Sequence, residues 1–176
     1  LDPTRFKEMT HRDRFHDVIA GIEAAQAAGL TPLKVNSVLL KGVNDDEAIP
    51  LLRHALANNW NLRFIEQMPL DAGDLWARPV MVTADEIQKE LEREFDLTPV
   101  PSRGSAPAEE FYVNGGPATV GIIASVTRPF CAACDRLRST ADGQFRNCLF
   151  ARDETDVRAV LRSGLPQSEI DAGVQA

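Results

Sequence analysis

Three residues of this chain have the type and spacing for metal chemistry: Cys131, Cys134 and Cys148. The run Pro129-Phe130-Cys131-Ala132-Ala133-Cys134 puts two thiols on one tight loop, the usual chelating bite for a metal. Thirteen residues separate Cys134 from Cys148, and among them Asp142-Gly143 is a strong two-residue hairpin signal. That turn would pair Ala141 with Gln144 and, continuing the register, Leu137 with Cys148, so the third thiol returns to the first two. An odd number of cysteines excludes a complete disulfide framework. Iron-sulfur clusters are held by thiolates, and a cubane held by only three keeps one iron open to a substrate atom. Structural zinc needs four closed ligands, so a zinc site here would borrow one from elsewhere, and all three histidines lie far upstream. Inert buried thiols are a third reading, whereas a Cys-x-x-Cys redox pair leaves Cys148 unexplained.

Just after the cysteine pair, Asp135-Arg136-Leu137-Arg138 carries two guanidinium groups. If that run is extended, Arg136 and Arg138 face the same side, beside the metal, where they suit an oxyanion or a purine ring. Arginines on an exposed hairpin are otherwise simply solvated.

The elements that must position these groups follow from composition and periodicity. The chain has 176 residues, 44% hydrophobic and 26% charged, the balance of a soluble globular protein. A net charge of -7 opposes binding to nucleic acid or an anionic membrane, so a phosphate-bearing ligand would depend on a few local cations. No apolar run is long enough to span a bilayer and the first residues do not resemble a signal peptide, so a cytoplasmic protein is expected.

From His11 to Gly29, Phe15, Val18, Ile19 and Ile22 recur at helical spacing. Leu33–Leu40 reads as a strand, Asp45 or Asp46 as the cap of a helix bearing Ile49, Leu52 and Leu56, and Leu62–Glu66 as a second strand. Helix, strand, helix, strand is the pattern of a parallel sheet wrapped by helices, met here without a strand before the first helix, as if the chain began inside an architecture. Pro69 to Val82 reads as a loop, and Thr83-Ala84-Asp85-Glu86 as a capping box opening a helix through Ile87, Leu91 and Phe95. Pro99 to Pro107 concentrates Pro, Ser and Gly and marks a candidate boundary. Beyond it, Phe111-Tyr112-Val113 and Thr119–Ile123 suggest small antiparallel strands, and a last helix runs from about Asp153 to Leu161.

Lys34 and Asn36 share one face of their strand, which is costly in a buried parallel sheet unless that face lines a polar, ligand-filled interior; an exposed edge strand is the other reading. Arg63 follows the same logic. Alternation places Glu66 and Met68 opposite Arg63, so the strand must end or bulge before Met68 for Arg63 and Met68 to serve one cavity.

The segments Lys34-Val35-Asn36, Gly42-Val43-Asn44-Asp45, Arg63–Leu70, Gly121-Ile122-Ile123, Thr127–Arg138, Thr140-Ala141-Asp142-Gly143 and Arg146-Asn147-Cys148-Leu149-Phe150 closely resemble the molybdenum cofactor biosynthesis protein A family, the GTP 3',8-cyclases of the radical S-adenosylmethionine superfamily. The resemblance implies an α/β fold: residues 1–98 as the last βα units of an incomplete radical-SAM TIM-type barrel, and 99–176 as a small α+β domain with antiparallel strands that binds an iron-sulfur cluster and GTP. It implies that Cys131, Cys134 and Cys148 bind a 4Fe-4S cluster whose open iron meets guanine, and that Lys34, Arg63, Arg136 and Arg138 contact GTP. Met68 would line the S-adenosylmethionine pocket. It further implies a cyclic pyranopterin monophosphate synthase acting downstream and allows a homodimer. The chain has no cysteine before Cys131, so the Cys-x3-Cys-x2-Cys motif that holds the family's other 4Fe-4S cluster is absent, as is the terminal Gly-Gly. A C-terminal fragment that does not cleave S-adenosylmethionine by itself is therefore expected. The competing readings are another radical S-adenosylmethionine enzyme with an auxiliary cluster, usually richer in cysteine, and a non-catalytic zinc-stabilised interaction domain.

Overall fold

The computed structural model of the chain describes residues 2–70 and 76–175, the last four as backbone only. It falls into two compact units, residues 1–133 and 134–176.

In the first unit, helices α1 (Pro3–Thr10) and α2 (Phe15–Ala27) precede strand β1 (Lys34–Val38), helix α3 (Ala48–Ala57) and strand β2 (Asn61–Ile65). Helix α4 (Ala84–Leu91) and strands β3 (Leu97–Pro99), β4 (Glu109–Val113) and β5 (Thr119–Ile123) complete it. The five strands form one sheet in the order β1-β2-β5-β4-β3. β1, β2 and β5 are parallel, whereas β4 and β3 are antiparallel to their neighbours. The expected mixed fold, with its antiparallel strands, is what is observed.

Register decides what each face of the sheet carries. Val35, Leu62, Val120 and Phe111 align across it, as do Ser37, Phe64 and Ile122. This face meets Leu52 and Ala55 of α3 and Ile87 and Leu91 of α4 in the core. Phe64 and Leu52 are fully enclosed, and burying an aliphatic or aromatic side chain of this size contributes roughly 1.5–3 kcal/mol. The opposite face carries Lys34, Asn36, Asn61, Arg63, Gly121 and Glu110, by strand alternation.

Local signals explain most boundaries. Gly29 takes a left-handed φ of 74° just past α2, the C-terminal stop that a residue with a Cβ resists. Asn44 is buried in the turn after β1, where its Oδ1 accepts from the Leu40 amide (2.7 Å) and its Nδ2 donates to the Val38 carbonyl (3.0 Å). The Thr83 capping box is complete, with the Glu86 amide donating to Thr83 Oγ1 (3.2 Å) and the Thr83 amide to the Glu86 carboxylate (2.8 Å).

Several expectations need correction. Residues before His11 form a helix of their own, α1, with Asp2 as its N-cap, and the following helix starts only at Phe15. Neither Asp45 nor Asp46 caps α3. Both lie in a 3-10 turn, Asp45 accepting from the Gly42 amide (3.0 Å) and Asp46 pairing with Arg5 (2.6 Å). The Pro/Ser/Gly-rich stretch after residue 98 is not where the compact units divide, because β4 and β5 return to pair with β3 and β2 in one sheet. Of the loop expected over Pro69 to Val82, residues 71–75 lie outside the described residues.

The second unit has strands β6 (Arg138–Ser139), β7 (Gln144–Arg146) and β8 (Thr155–Asp156), in that spatial order, then helices α5 (Val157–Leu161) and α6 (Gln167–Gln175). The helix expected to be the last, α5, starts later than expected because Thr155 and Asp156 pair with β7, Asp156 then capping α5 through the Ala159 amide (2.9 Å), and it is followed by α6, which the sequence reading did not anticipate. The hairpin is also one residue out of the expected register: Arg138 faces Arg146 and Ser139 faces Phe145. The Thr140 amide reaches the Gln144 carbonyl (2.9 Å), leaving a three-residue loop that closes on Gly143 at φ 85°. This is the type I turn with a left-handed glycine, not the two-residue turn that Asp-Gly suggests. A continued ladder would set Cys148 across from Arg136 rather than Leu137.

Candidate thiol and cation sites

Within the second unit, Cys134 is half-buried and Cys148 exposed; Cys131, on the first unit, is exposed, and all three are free thiols. Arg136 donates its Nε–H to Cys134 Sγ over 3.2 Å. The Arg136 backbone N–H, then its guanidinium, hold the Cys134 thiol below the ordinary cysteine range, with Arg138 adding to the effect. Thiolate is the metal-binding form of cysteine, so this microenvironment prepares the residue for a metal. Cys148 lines a concavity of about 470 Å³ with Leu137, Phe145 and Phe150. Arg138 is half-buried in β6 opposite Arg146, and Arg146 pairs with Glu154. Among the described residues no three His, Cys, Asp or Glu side chains are gathered as ligands of one metal ion. The donor chemistry of three available thiols nevertheless fits a thiolate-held cluster.

In the first unit, the polar face of the sheet carries the cations. Lys34 is exposed and aligns with Asn61; Asn36 aligns with Arg63, Gly121 and Glu110 in one row across four strands. The Arg63 side chain lies flat over Gly121, where an added Cβ would come within 3.0 Å of its Cγ, and its Nη2 reaches Glu110 Oε1 at 3.5 Å. Its Nε is enclosed and has no hydrogen-bond partner among the described residues. β2 ends at Ile65, so strict alternation does not extend to Met68, which is half-buried in the segment beyond the strand. Nearby, Trp76 Nε1 donates to the Gln67 carbonyl (2.9 Å).

The sequence reading found the thiols and cations but not what holds the segment before Cys131. Glu66, at the end of β2, accepts from the Val126 and Thr127 amides, and Arg128 pairs with Glu109 (2.9 Å). A carboxylate following an apolar strand was the available signal for Glu66; nothing local marks Arg128.

These features describe an α/β protein with three free thiols and a sheet face that carries Lys34 and Arg63. Residues 60–176 match the family described as Molybdenum Cofactor Synthesis C, and the chain belongs to that family. A Streptomyces coelicolor protein named GTP 3',8-cyclase is 60% identical over 172 residues, covering 97% of this chain and 50% of that protein. The Mycolicibacterium smegmatis protein of the same name is 51% identical over 181 residues, covering all of this chain and 50% of the relative. A Mycobacterium bovis protein named GTP 3',8-cyclase 2 is 48% identical over the same span. The chain thus covers about half the length of the curated relatives it matches. No helix of the described residues is long and apolar enough to cross a membrane.

Proposed function

We propose that this chain is the substrate-side half of a cytoplasmic GTP 3',8-cyclase in molybdenum cofactor biosynthesis, in which Cys131, Cys134 and Cys148 hold a 4Fe-4S cluster. The observation that carries the reading is the 60% identity to a protein of that name across 97% of the chain. β1 and β2 would be the last strands of a TIM-type radical S-adenosylmethionine barrel, and their parallel pairing supports this, whereas the exposed Lys34 and Asn36 are equally those of an edge strand. Lys34 would bind the nucleotide and Arg63 would lie near its phosphates; both stand on the polar face of the sheet. Arg136 and Arg138 would orient the nucleotide by the cysteine pair, and Met68 would line the S-adenosylmethionine pocket. When bound, the cluster supplies an open iron for a guanine atom. The barrel's own 4Fe-4S cluster and the radical it generates belong to the part of the enzyme outside this chain. The product would pass to a cyclic pyranopterin monophosphate synthase, and the working enzyme would be a homodimer, which light scattering tests.

Anaerobic reconstitution with iron and sulfide tests the assignment. About four iron and four sulfide per polypeptide on these thiols, lost in Cys148→Ala, with a reduced electron paramagnetic resonance spectrum perturbed by GTP, is the expected result. Uptake of zinc without iron, or a cluster indifferent to GTP, would refute it.

A further inference from the structure

Glu66 is enclosed, 1% exposed, among donors from separate elements. Its Oε1 accepts from the Ala84 amide at the start of α4 (2.7 Å) and from the Thr127 hydroxyl. Its Oε2 accepts from the Val126 amide (2.8 Å) and the Thr127 amide (2.9 Å). The Glu66 amide donates to the Ile123 carbonyl (3.2 Å). A carboxylate has about four acceptor positions, and the protein itself occupies them here, so Glu66 is not poised as a base for substrate. Four well-placed donors offset the burial of the charge: burial pushes the Glu66 carboxyl up, but the Thr127 hydroxyl and the three amides bring it below the ordinary glutamate range. An apolar residue of the same volume could stabilise the fold as well. What it could not do is fix the directions of three amides and a hydroxyl.

Val126 and Thr127 begin the arm that leads to Cys131, and the arm is held again further along. Arg128 Nη1 donates to Glu109 of β4 (2.9 Å). The Arg103 guanidinium lies 4.7 Å from the Phe130 ring centre, itself tied to the Ala106 and Pro107 carbonyls (2.7 Å each). These are fixings of one segment to the sheet unit, with Glu66 at its root.

We infer that Glu66 is a positioning residue: it clamps the Val126–Cys131 arm to the end of β2 and the start of α4, so that the first thiol is presented in one conformation. The consequence for a cluster rests on the reading given under Proposed function; the clamp does not.

The test uses this 176-residue chain, whose only cysteines are Cys131, Cys134 and Cys148, as wild type, Glu66→Gln, Thr127→Val and Thr127→Ser, reconstituted anaerobically with iron and sulfide. Amide hydrogen exchange, the thermal midpoint and the reduced-cluster spectrum are recorded for each. Glu66→Gln sets an amide NH2 or a weaker acceptor against donors, and Thr127→Val removes one donor without leaving the chain unable to fold. Both are expected to speed exchange at Val126 and Thr127 by about tenfold, leave β1 unchanged, and shift or broaden the cluster spectrum. Thr127→Ser, which keeps the hydroxyl, restores both readouts. Unchanged exchange at Val126 and Thr127 in Thr127→Val overturns the clamp, and a freed arm with an unchanged cluster spectrum overturns the positioning role. Absence of iron from the wild type refutes the cluster reading instead, and the exchange data then judge the clamp alone.

Discussion

Replacing Gly121 with alanine tests the packing of the polar sheet face. The added Cβ would stand 3.0 Å from Arg63 Cγ and 3.2 Å from Ala108 Cβ, where unstrained carbons sit about 3.5–4.0 Å apart. Arg63 can swing away, giving up a 3.5 Å pairing with Glu110 that is worth at most about 1 kcal/mol for a partly exposed pair. Ala108 cannot, because its Cβ is fixed to the backbone and it is buried. Overpacking of this kind costs about 1–3 kcal/mol. Gly121 has no left-handed φ, so alanine also gains about 0.4–1 kcal/mol by restricting the unfolded chain. At the middle of each range the clash wins, and a net loss of about 1.3 kcal/mol is expected. Removing Arg63 relieves one of the two contacts, so Arg63→Ala should recover about 1 kcal/mol of that loss when combined with Gly121→Ala. Urea unfolding followed by tryptophan fluorescence measures all four members of the cycle, since Trp60 belongs to the core. A neutral or stabilising Gly121→Ala, or a penalty untouched by Arg63→Ala, would refute the account.

Thr83→Ala should destabilise the first unit by about 1 kcal/mol, read as a lower urea midpoint at constant slope, because it dismantles the capping box of α4. Gly143→Ala should disrupt the β6–β7 hairpin, since its Cβ would lie 2.7 Å from Arg158 Cβ at a φ of 85°; accelerated amide exchange at Gln144 relative to the sheet unit checks it. In the metal-free chain, alkylation of Cys134 should reach half its limiting rate at lower pH than in Arg136→Ala, though the variant keeps the backbone donor that is the larger cause of the shift. Glu66 also makes stability depend on acid. Its carboxyl is lowered below the ordinary 4.5 in the folded chain, so its contribution is complete above that value and is lost as pH falls through the lowered one. Glu66→Gln should flatten that part of a stability profile measured from pH 6 downward, and a profile parallel to wild type would contradict the assignment.

Much of the sheet unit was legible because its signals are local. β1, β2 and α4 declare themselves through branched apolar runs and a capping box, and Lys34, Asn36 and Arg63 through polar residues at alternating positions. α1 was not legible, since its eight residues are largely polar and no residue in it is buried. The hairpin register failed by one residue because Asp-Gly serves both two- and three-residue loops, and only the bond from the Thr140 amide to the Gln144 carbonyl distinguishes them. The division between the units escaped because composition marks a loop, whereas the pairing of β5 with β2 is a contact between residues nearly sixty apart in sequence. Glu66 escaped as a clamp for the same reason: its donors at Val126 and Thr127 are backbone amides, which no sequence pattern names.

The loop at the tip of the β6–β7 hairpin works as a ruler. Thr140 Oγ1 is engaged by Asp142 and by the Gln144 amide, Gly143 holds the one left-handed position, and Arg158 presses against it, so the turn holds Thr140 across from Gln144 and sets the register of both strands. Deleting Ala141 would keep Thr140 across from Gln144 on a two-residue Asp142-Gly143 loop, whereas deleting Ser139 would draw every residue before it one place along β7, a step of about 3.3 Å that also reverses which face each side chain takes. Cys134 and Arg136 lie on the drawn side and would travel with it. The place at which Cys134 is delivered is therefore written in the number of residues between that thiol and the tip, and a single-codon deletion there would act on it without altering a cysteine.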